Sequence, residues 1–281
     1  MKIKKSLKKN ISAVIKLGGG EGNDSHAVCE DIAALVKEGY FFVIVHGVLA
    51  SFNHALQKSG NPPKFADSLV QPGVKIRIVD EKGIRIFTEA CARERQNILT
   101  LLGNFGVNAL GLPDQDNNYI LRAQPSIHRV ILGGKRIVLR HNLTGTVESI
   151  ESRFLLENFI DKNIVPVISP LGRSEDGAVL DIDGDQAAAV IAASLGTKLI
   201  ILSNIPGLLR DPKDPTSLIQ TVSPTKRQEI QSFAQGRMTI KLQSVLWSLD
   251  NGATGAIIGT SSCPQPLRMA LAEQQGTVFT P

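Results

Sequence analysis

The chain has 281 residues, 42% of them hydrophobic and 20% charged, which is enough for one large core or two fused lobes. No apolar run reaches the length of a membrane span, and the basic residues 1–9 precede no signal-peptide core, so they read as a solvated lead-in. A net charge of +5 favours an anionic partner, while 5% aromatics and the lack of any aromatic-studded basic run argue against nucleic acid. Cys29, Cys91 and Cys263 are scattered, odd in number and without metal spacing, which points to a reducing cytoplasm.

Val14-Ile-Lys16-Leu-Gly-Gly-Gly20 predicts a buried strand over 13–17 that runs into a glycine turn, with one lysine just before it. A helix follows over 24–38 and stops at Gly39. A second strand, 41–46, then meets the turn His46-Gly47. Two such turns one helix apart predict adjacent parallel strands whose ends form a phosphate cradle. Backbone amides approach a phosphate closely where no Cβ intrudes, and a lysine adds charge. The spacing is neither that of the P-loop nor that of the dinucleotide GxGxxG motif.

Further helices are expected over 83–103, closing on Gly103, and over 185–195, ending at Gly196, and further strands over 164–168, 198–202 and 255–258. Residues 119–140, with short alternating runs broken by Gly133-Gly134, read as antiparallel strands or a hairpin. The weakest junction lies between 166 and 179, giving an N-terminal lobe 1–170 and a C-terminal lobe 171–281 joined by a hinge. Alternating strands and helices argue for an α/β layer fold with a largely parallel sheet.

Three segments of the second half carry polar groups in telling places. In Asp181-Ile-Asp-Gly-Asp185-Gln, acidic residues lead into a small-residue helix, as an N-cap would. Leu199-Ile-Ile-Leu-Ser203-Asn-Ile-Pro206-Gly207 is a buried strand that ends in a polar turn, where open α/β sheets hold ligands. Gly236-Arg-Met238-Thr-Ile-Lys241 begins another helix.

These segments, in this order, resemble the amino acid kinase family from Val14 to about Val278. Within the family the likeness is to the acetylglutamate kinase branch, and especially to its relatives that act on aminoadipate or glutamate attached to a small acidic carrier protein. Pro62-Pro-Lys-Phe65, Thr144-Gly-Thr-Val-Glu148, Ser203–Leu209 and Ala234-Gln-Gly-Arg-Met238 carry that likeness. It implies a three-layer αβα sandwich with a central, mainly parallel sheet. It also implies ATP-dependent phosphorylation of a side-chain carboxylate on an N-blocked acidic amino acid, with Mg²⁺ on the phosphates largely through water.

By the resemblance, Lys16 and Lys241 are the transition-state lysines and Asp185 holds them in position. The turns of Gly18, Gly19 and Gly47 touch the phosphoryl group, Arg77 grips the substrate's α-carboxylate, and Asp181 stands where relatives contact substrate. Ser203, Asn204, Pro206, Gly207 and Leu209 fall where the nucleotide is held. No residue is assigned to a metal. A homodimer is expected, the lead-in being short for the helix that builds hexamers.

The pattern breaks in places. Val48 replaces a glycine of the second turn, where a positive φ would strain it and its side chain would crowd the phosphoryl group. Asp181 replaces an asparagine, and a carboxylate about 4 Å from a substrate carboxylate costs roughly 4 kcal/mol at an effective dielectric of 20. Ile78-Val79, Arg93-Glu94-Arg95 and Pro113-Asp-Gln-Asp116 also depart from relatives. Three readings follow: a kinase for a carrier-linked substrate, a free N-acetylglutamate kinase, and a regulatory paralogue that binds nucleotide without transfer. A nucleoside monophosphate or carbamate kinase fits Arg77 and the Gly236–Lys241 motif poorly.

Overall fold

The computed structural model describes residues 11–71, 73–113 and 116–281. The basic lead-in and the centre of the Pro113–Asp116 turn lie outside these residues.

Eight strands form the central sheet: β1 (Ala13–Leu17), β2 (Phe42–His46), β3 (Ala109–Leu112), β4 (Val165–Ile168), β5 (Lys198–Ser203), β6 (Thr221–Val222), β7 (Ala256–Thr260) and β8 (Thr277–Phe279). Their spatial order is β6-β8-β7-β5-β1-β2-β4-β3, parallel throughout except between β7 and β8. The helices are α1 (Ser25–Lys37), α2 (Leu49–Lys58), α3 (Glu81–Asn104), α4 (Ser152–Leu155), α5 (Gly184–Leu195), α6 (Arg237–Asp250) and α7 (Pro266–Leu271). α1 packs with α3 and α7, and α5 with α6, as the helical layers of an αβα sandwich. β1 and β2 are buried at every position because both faces of the sheet are covered.

The expected elements are found, with ends differing by two residues at most. The helix expected over 83–103 runs from Glu81 to Asn104, capped by Asp80, whose carboxylate accepts the Gly83 amide at 2.7 Å. Gly103 therefore lies inside the helix, and the left-handed turn that follows it is made by Gly106 at φ 79°. The strand expected over 255–258 extends to Thr260.

Two smaller sheets flank the C-terminal ends of the central strands. One is antiparallel, in the order Lys75–Ile78, Lys64–Ser68, His128–Leu132, Lys135–Leu139. Its last two strands form the hairpin expected around Gly133-Gly134, whose φ of 58° and 76° suit a tight two-residue turn. The other is a closed ring of Leu171–Arg173, Val179–Ile182, Thr144–Ile150 and Leu121–Pro125. It pairs strands from both sides of residue 170.

β1 has β2 on one side and β5 on the other, so the chain winds away from it in both directions. That leaves a crevice beyond the C-terminal end of β1, where parallel α/β sheets bind ligands.

Candidate active site

Lys16 occupies the fourth position of a fully buried strand and is 5% exposed. An ammonium there needs a partner, because an unpaired buried charge is costly. Asp185, 1% exposed in the first turn of α5, supplies it: Lys16 Nζ lies 2.9 Å from Asp185 Oδ1. Lys241, 7% exposed on α6, meets the other oxygen at 3.0 Å. Burial alone would raise the Asp185 carboxyl, but the two ammonium charges and their hydrogen bonds outweigh it and hold it well below the usual carboxylate range. Burial also pulls the Lys241 ammonium down, against the attraction of Asp185, and the charge of Lys16 adds to the fall.

Two local features fix this geometry. Asp183 caps α5 by accepting the amides of Asp185 and Gln186 at 2.9 and 3.3 Å, which sets the first turn that carries Asp185. Gly184 lets Lys16 pass, since a Cβ there would lie 3.3 Å from Lys16 Cε. The sequence gives no sign of this role for Gly184.

The glycine turns meet backbone to backbone. A Cβ on Gly19 would lie 2.0 Å from the Gly47 carbonyl carbon, and one on Gly47 would lie 2.7 Å from the Gly19 nitrogen. A Cβ on Gly18 would strike Asn23 Oδ1 at 2.1 Å. The expectation that all three amides face a phosphoryl group needs correction. Gly18 N–H donates to Leu202 O and Gly47 N–H to Leu17 O, both at 2.8 Å, extending the parallel ladder. These two glycines shape the cradle by lacking side chains.

Val48 corrects a second expectation. Its φ is −138°, so no left-handed strain arises. Its side chain, 4% exposed, packs in a satellite core with Phe52, Val79, Phe87 and Leu171.

Arg77 stands at the other end of the cleft, on an edge strand of the antiparallel sheet. Its guanidinium lies between the rings of Phe52, at 4.9 Å, and Phe65, at 4.8 Å. Nη2 donates to Asn53 Oδ1 at 2.8 Å, while Nη1 is buried with no partner among the described residues. Phe65 faces Arg77 directly across the strand pair. Asn142 clips this strand in place, accepting the Val79 amide at 2.6 Å and donating to Arg77 O at 2.9 Å. Neither Asn53 nor Asn142 stands in a pattern that sequence reasoning could use, whereas cross-strand alternation could have paired Phe65 with Arg77.

His46, just before the Gly47 turn, is buried and joined through Nε2 to Ser169 Oγ at 2.9 Å, and Ser169 Oγ also accepts from Arg95 Nη1 at 2.8 Å. Burial pushes His46 down to about 3 against the Gly47 backbone, with the charges of Arg95 and Lys16 adding to the fall, so its ring is neutral.

A cleft of about 1000 Å³ connects these groups, lined among others by Lys16, Gly19, Arg77, Asp181, Ser203 and Lys241. Gly18, Gly47 and Asn204 line it as well. Ser203 Oγ is buried without a partner, and Asn204 Nδ2 donates to Glu21 O at 3.0 Å. Pro206, Gly207 and Leu209 do not line this cleft. Gly207, at φ 149°, sits where a Cβ would strike Leu218 and Thr277 at 2.7 Å, and Leu209 bridges to Leu218.

Two buried ammonium groups on one carboxylate, side-chain-free turns at the ends of parallel strands and an arginine fork across the same cleft define a phosphoryl-transfer enzyme. The model of the amino acid kinase family matches residues 12–260, and the chain belongs to that family. It is 34% identical over 271 residues to [LysW]-aminoadipate kinase from Thermus thermophilus, covering 94% of this chain and 98% of the relative. It is 29% identical over 283 residues to acetylglutamate kinase from Methanothermobacter thermautotrophicus, covering 98% and 93%. Among solved structures, N-acetylglutamate synthase from Neisseria gonorrhoeae superposes with a TM-score of 0.78 at 20% identity, over 98% of this chain and 60% of that one. Giardia carbamate kinase gives 0.68 at 17% identity, over 98% and 99%. These two establish the fold alone.

Proposed function

We propose that this kinase transfers the γ-phosphoryl group of ATP to the side-chain carboxylate of an N-blocked acidic amino acid, giving an acyl phosphate. The observation that carries this reading is Arg77. Arg77 lines the same cleft as Lys16 and Lys241, and its Nη1 is buried without a partner among the described residues. A planar fork of this kind suits a substrate carboxylate.

Arg77 would hold the α-carboxylate, leaving the distal carboxylate directed at the glycine turns. Lys16 and Lys241 would stabilise the charge that spreads over the transferring oxygens, and Asp185 would keep both ammonium tips aimed. Loss of one such donor in other enzymes costs about 2.7–4 kcal/mol. The phosphates fit the cradle that a Cβ at Gly18, Gly19 or Gly47 would fill, and the unpartnered Ser203 hydroxyl suits a polar group of the nucleotide. Pro206, Gly207 and Leu209 would frame that end from outside the cleft. Mg²⁺ would arrive on the phosphates and neutralise charge there, bound largely through water. The substrate side then falls in residues 1–170 and the nucleotide side in 171–281. A cytoplasmic homodimer completes the reading, and no described helix is long and apolar enough to cross a membrane.

Aminoadipate or glutamate linked to a small acidic carrier is the substrate favoured here. The antiparallel sheet beside Arg77 exposes Lys64, Lys75, Arg129, Lys135 and Arg136. Such a face would steer an acidic protein towards the cleft. Free N-acetylglutamate is the alternative, supported by the likeness to acetylglutamate kinase. The regulatory paralogue loses the backbone-strain part of its Val48 ground, while Val48 still lines the cleft and Asp181 remains its other ground.

The test is hydroxylamine trapping across glutamate, N-acetylglutamate, aminoadipate and their carrier-linked forms. Hydroxamate from the carrier-linked forms, lost in Lys16→Ala and Lys241→Ala, is the expected result. Equal or better use of free N-acetylglutamate removes the carrier, and no hydroxamate from any acceptor removes the kinase reading.

A further inference from the structure

Asp181 lies in the strand Val179–Ile182, where Leu180 and Ile182 enter the core and Asp181 lines the cleft. Its backbone is fixed by the closed ring: it pairs with Thr144, and its amide donates to Leu143 O at 2.9 Å. Its carboxylate has no hydrogen bond or ion pair among the described residues, whereas polar side chains lining the same cleft do. His128 Nε2 is bonded to Thr144 Oγ1 at 2.9 Å, and Asn53 to Arg77.

Four titratable groups act on or feel Asp181. Arg77 of the strand Lys75–Ile78 and Arg237 at the start of α6 favour its ionised form, whereas Asp183, two residues on, disfavours it. Cys91 of α3 lies within electrostatic reach, and its thiol is pushed up by burial and then by Asp181. Lys75 and Arg237 also line the cleft, but Arg77 is the cation held in place there, by Asn53 and two rings, and it has one unpartnered donor. An anionic substrate seated on that donor takes Arg77 away from Asp181 and sets a new negative charge beside it. Both changes drive the carboxylate towards its acid form.

We infer that Asp181 binds substrate as a carboxylic acid, donating its proton to an oxygen of the substrate's anionic head group next to Arg77. This rests on the acidic amino acid reading of the cleft and deepens it. Asp181 then acts as a positioning and selecting residue. It rewards a head group that offers a second acceptor oxygen beside the one on Arg77, and it makes recognition take up a proton. Burial already raises the carboxyl to about 7 before any ligand arrives, against the pull of Arg77.

The experiment uses the full chain and two probes that do not titrate between pH 6 and 9, N-acetylglutamate and N-acetylaminoadipate. Their affinities are measured by calorimetry over that range in two buffers of different ionisation enthalpy. The expected result is binding that weakens by up to about tenfold per pH unit on the alkaline side, with uptake of about one proton. In Asp181→Asn, which keeps a donor that cannot ionise, the pH dependence and the proton uptake disappear. Asp181→Leu weakens binding at every pH. The proposal is overturned by affinity independent of pH, by an unchanged slope in Asp181→Asn, or by failure of both probes to bind at any pH. Affinity that strengthens as pH rises also overturns it and assigns Asp181 to a substrate cation. Failure of the kinase reading itself is seen separately, as absence of hydroxamate from every acceptor.

Discussion

Lys16 and Lys241, from opposite ends of the chain, hold opposite oxygens of the Asp185 carboxylate at 2.9 and 3.0 Å. Three buried charges therefore form one unit with a surplus positive charge. Removing the centre is expected to cost more than removing either arm. Asp185→Ala leaves two buried ammonium groups unpaired and should lower stability by about 3–5 kcal/mol, as broken buried pairs do. Lys241→Met should be milder in denaturant unfolding yet lower hydroxamate formation by about 10²–10³. Equal destabilisation by the two variants would contradict this account.

Gly19→Ala tests the contact between the two turns. Its Cβ would meet the Gly47 backbone at 2.0 Å, which rigid backbone cannot relieve locally. A loss of about 1–3 kcal/mol is expected from overpacking, with turnover falling further as the turns part. Gly20→Ala, whose nearest neighbour would be Asn23 Nδ2 at 3.7 Å, should be near neutral in both thermal unfolding and turnover.

Arg77→Lys keeps the charge and removes the planar fork. The stacking between Phe52 and Phe65 and the bond to Asn53 would be lost with it. KM for the acidic acceptor should rise by about one to two decades, in line with about 1.5–3 kcal/mol for a hydrogen bond to a charged group. KM for ATP should hardly move, and initial-rate kinetics with each substrate varied in turn would show the split.

Charge reversal at Lys135 and Arg136 addresses the carrier. Both are exposed and outside the cleft. Replacing both with Glu should raise KM for a carrier-linked acceptor severalfold at low salt, with the difference shrinking as ionic strength rises. A small free acceptor should be used as before. An equal effect on both acceptors would show that the sheet does not steer a protein.

His46 and Asp181 set opposite slopes of stability against pH. His46, at about 3 in the fold and near 6.5 unfolded, binds fewer protons when folded, so between these values it makes stability rise with pH. Asp181, at about 7 in the fold and 3.8 unfolded, binds more protons when folded, so over its window it makes stability fall with pH. Each slope approaches about 1.4 kcal/mol per unit, and from about pH 4 to 6.5 the two offset. Urea unfolding across that window should show stability falling with rising pH in His46→Gln and rising with pH in Asp181→Asn. Matching slopes in the two variants would refute the assignment.

Much of this architecture was legible in the sequence, for physical reasons that differ by region. A parallel strand buried on both faces reads as an unbroken apolar run, so Lys16 inside such a run already marked a functional charge. Helix ends were legible where a glycine took the left-handed stop, as at Gly196, and were missed at Gly103, where the helix runs on through Asn104 and the left-handed glycine is Gly106. The site was legible where backbone shape carries it. It was opaque where hydrogen bonds between distant side chains carry it. Asn53, on α2, and Asn142, in a loop, gain their meaning only when they are brought against the strand that carries Arg77. Val48 misled because composition announces a glycine's absence and cannot announce that the backbone there needs none.

The closed ring of four short strands draws from both halves of the polypeptide, Leu121–Pro125 and Thr144–Ile150 before residue 170, Leu171–Arg173 and Val179–Ile182 after it. A gene split at that point would strand two ribbons on each fragment with their hydrogen-bonding edges open, each fragment prone to stick to its own kind. Any relative movement of the halves during turnover must therefore occur as tilting around a stitched seam, because the ring cannot be unpicked and resewn with every catalytic cycle.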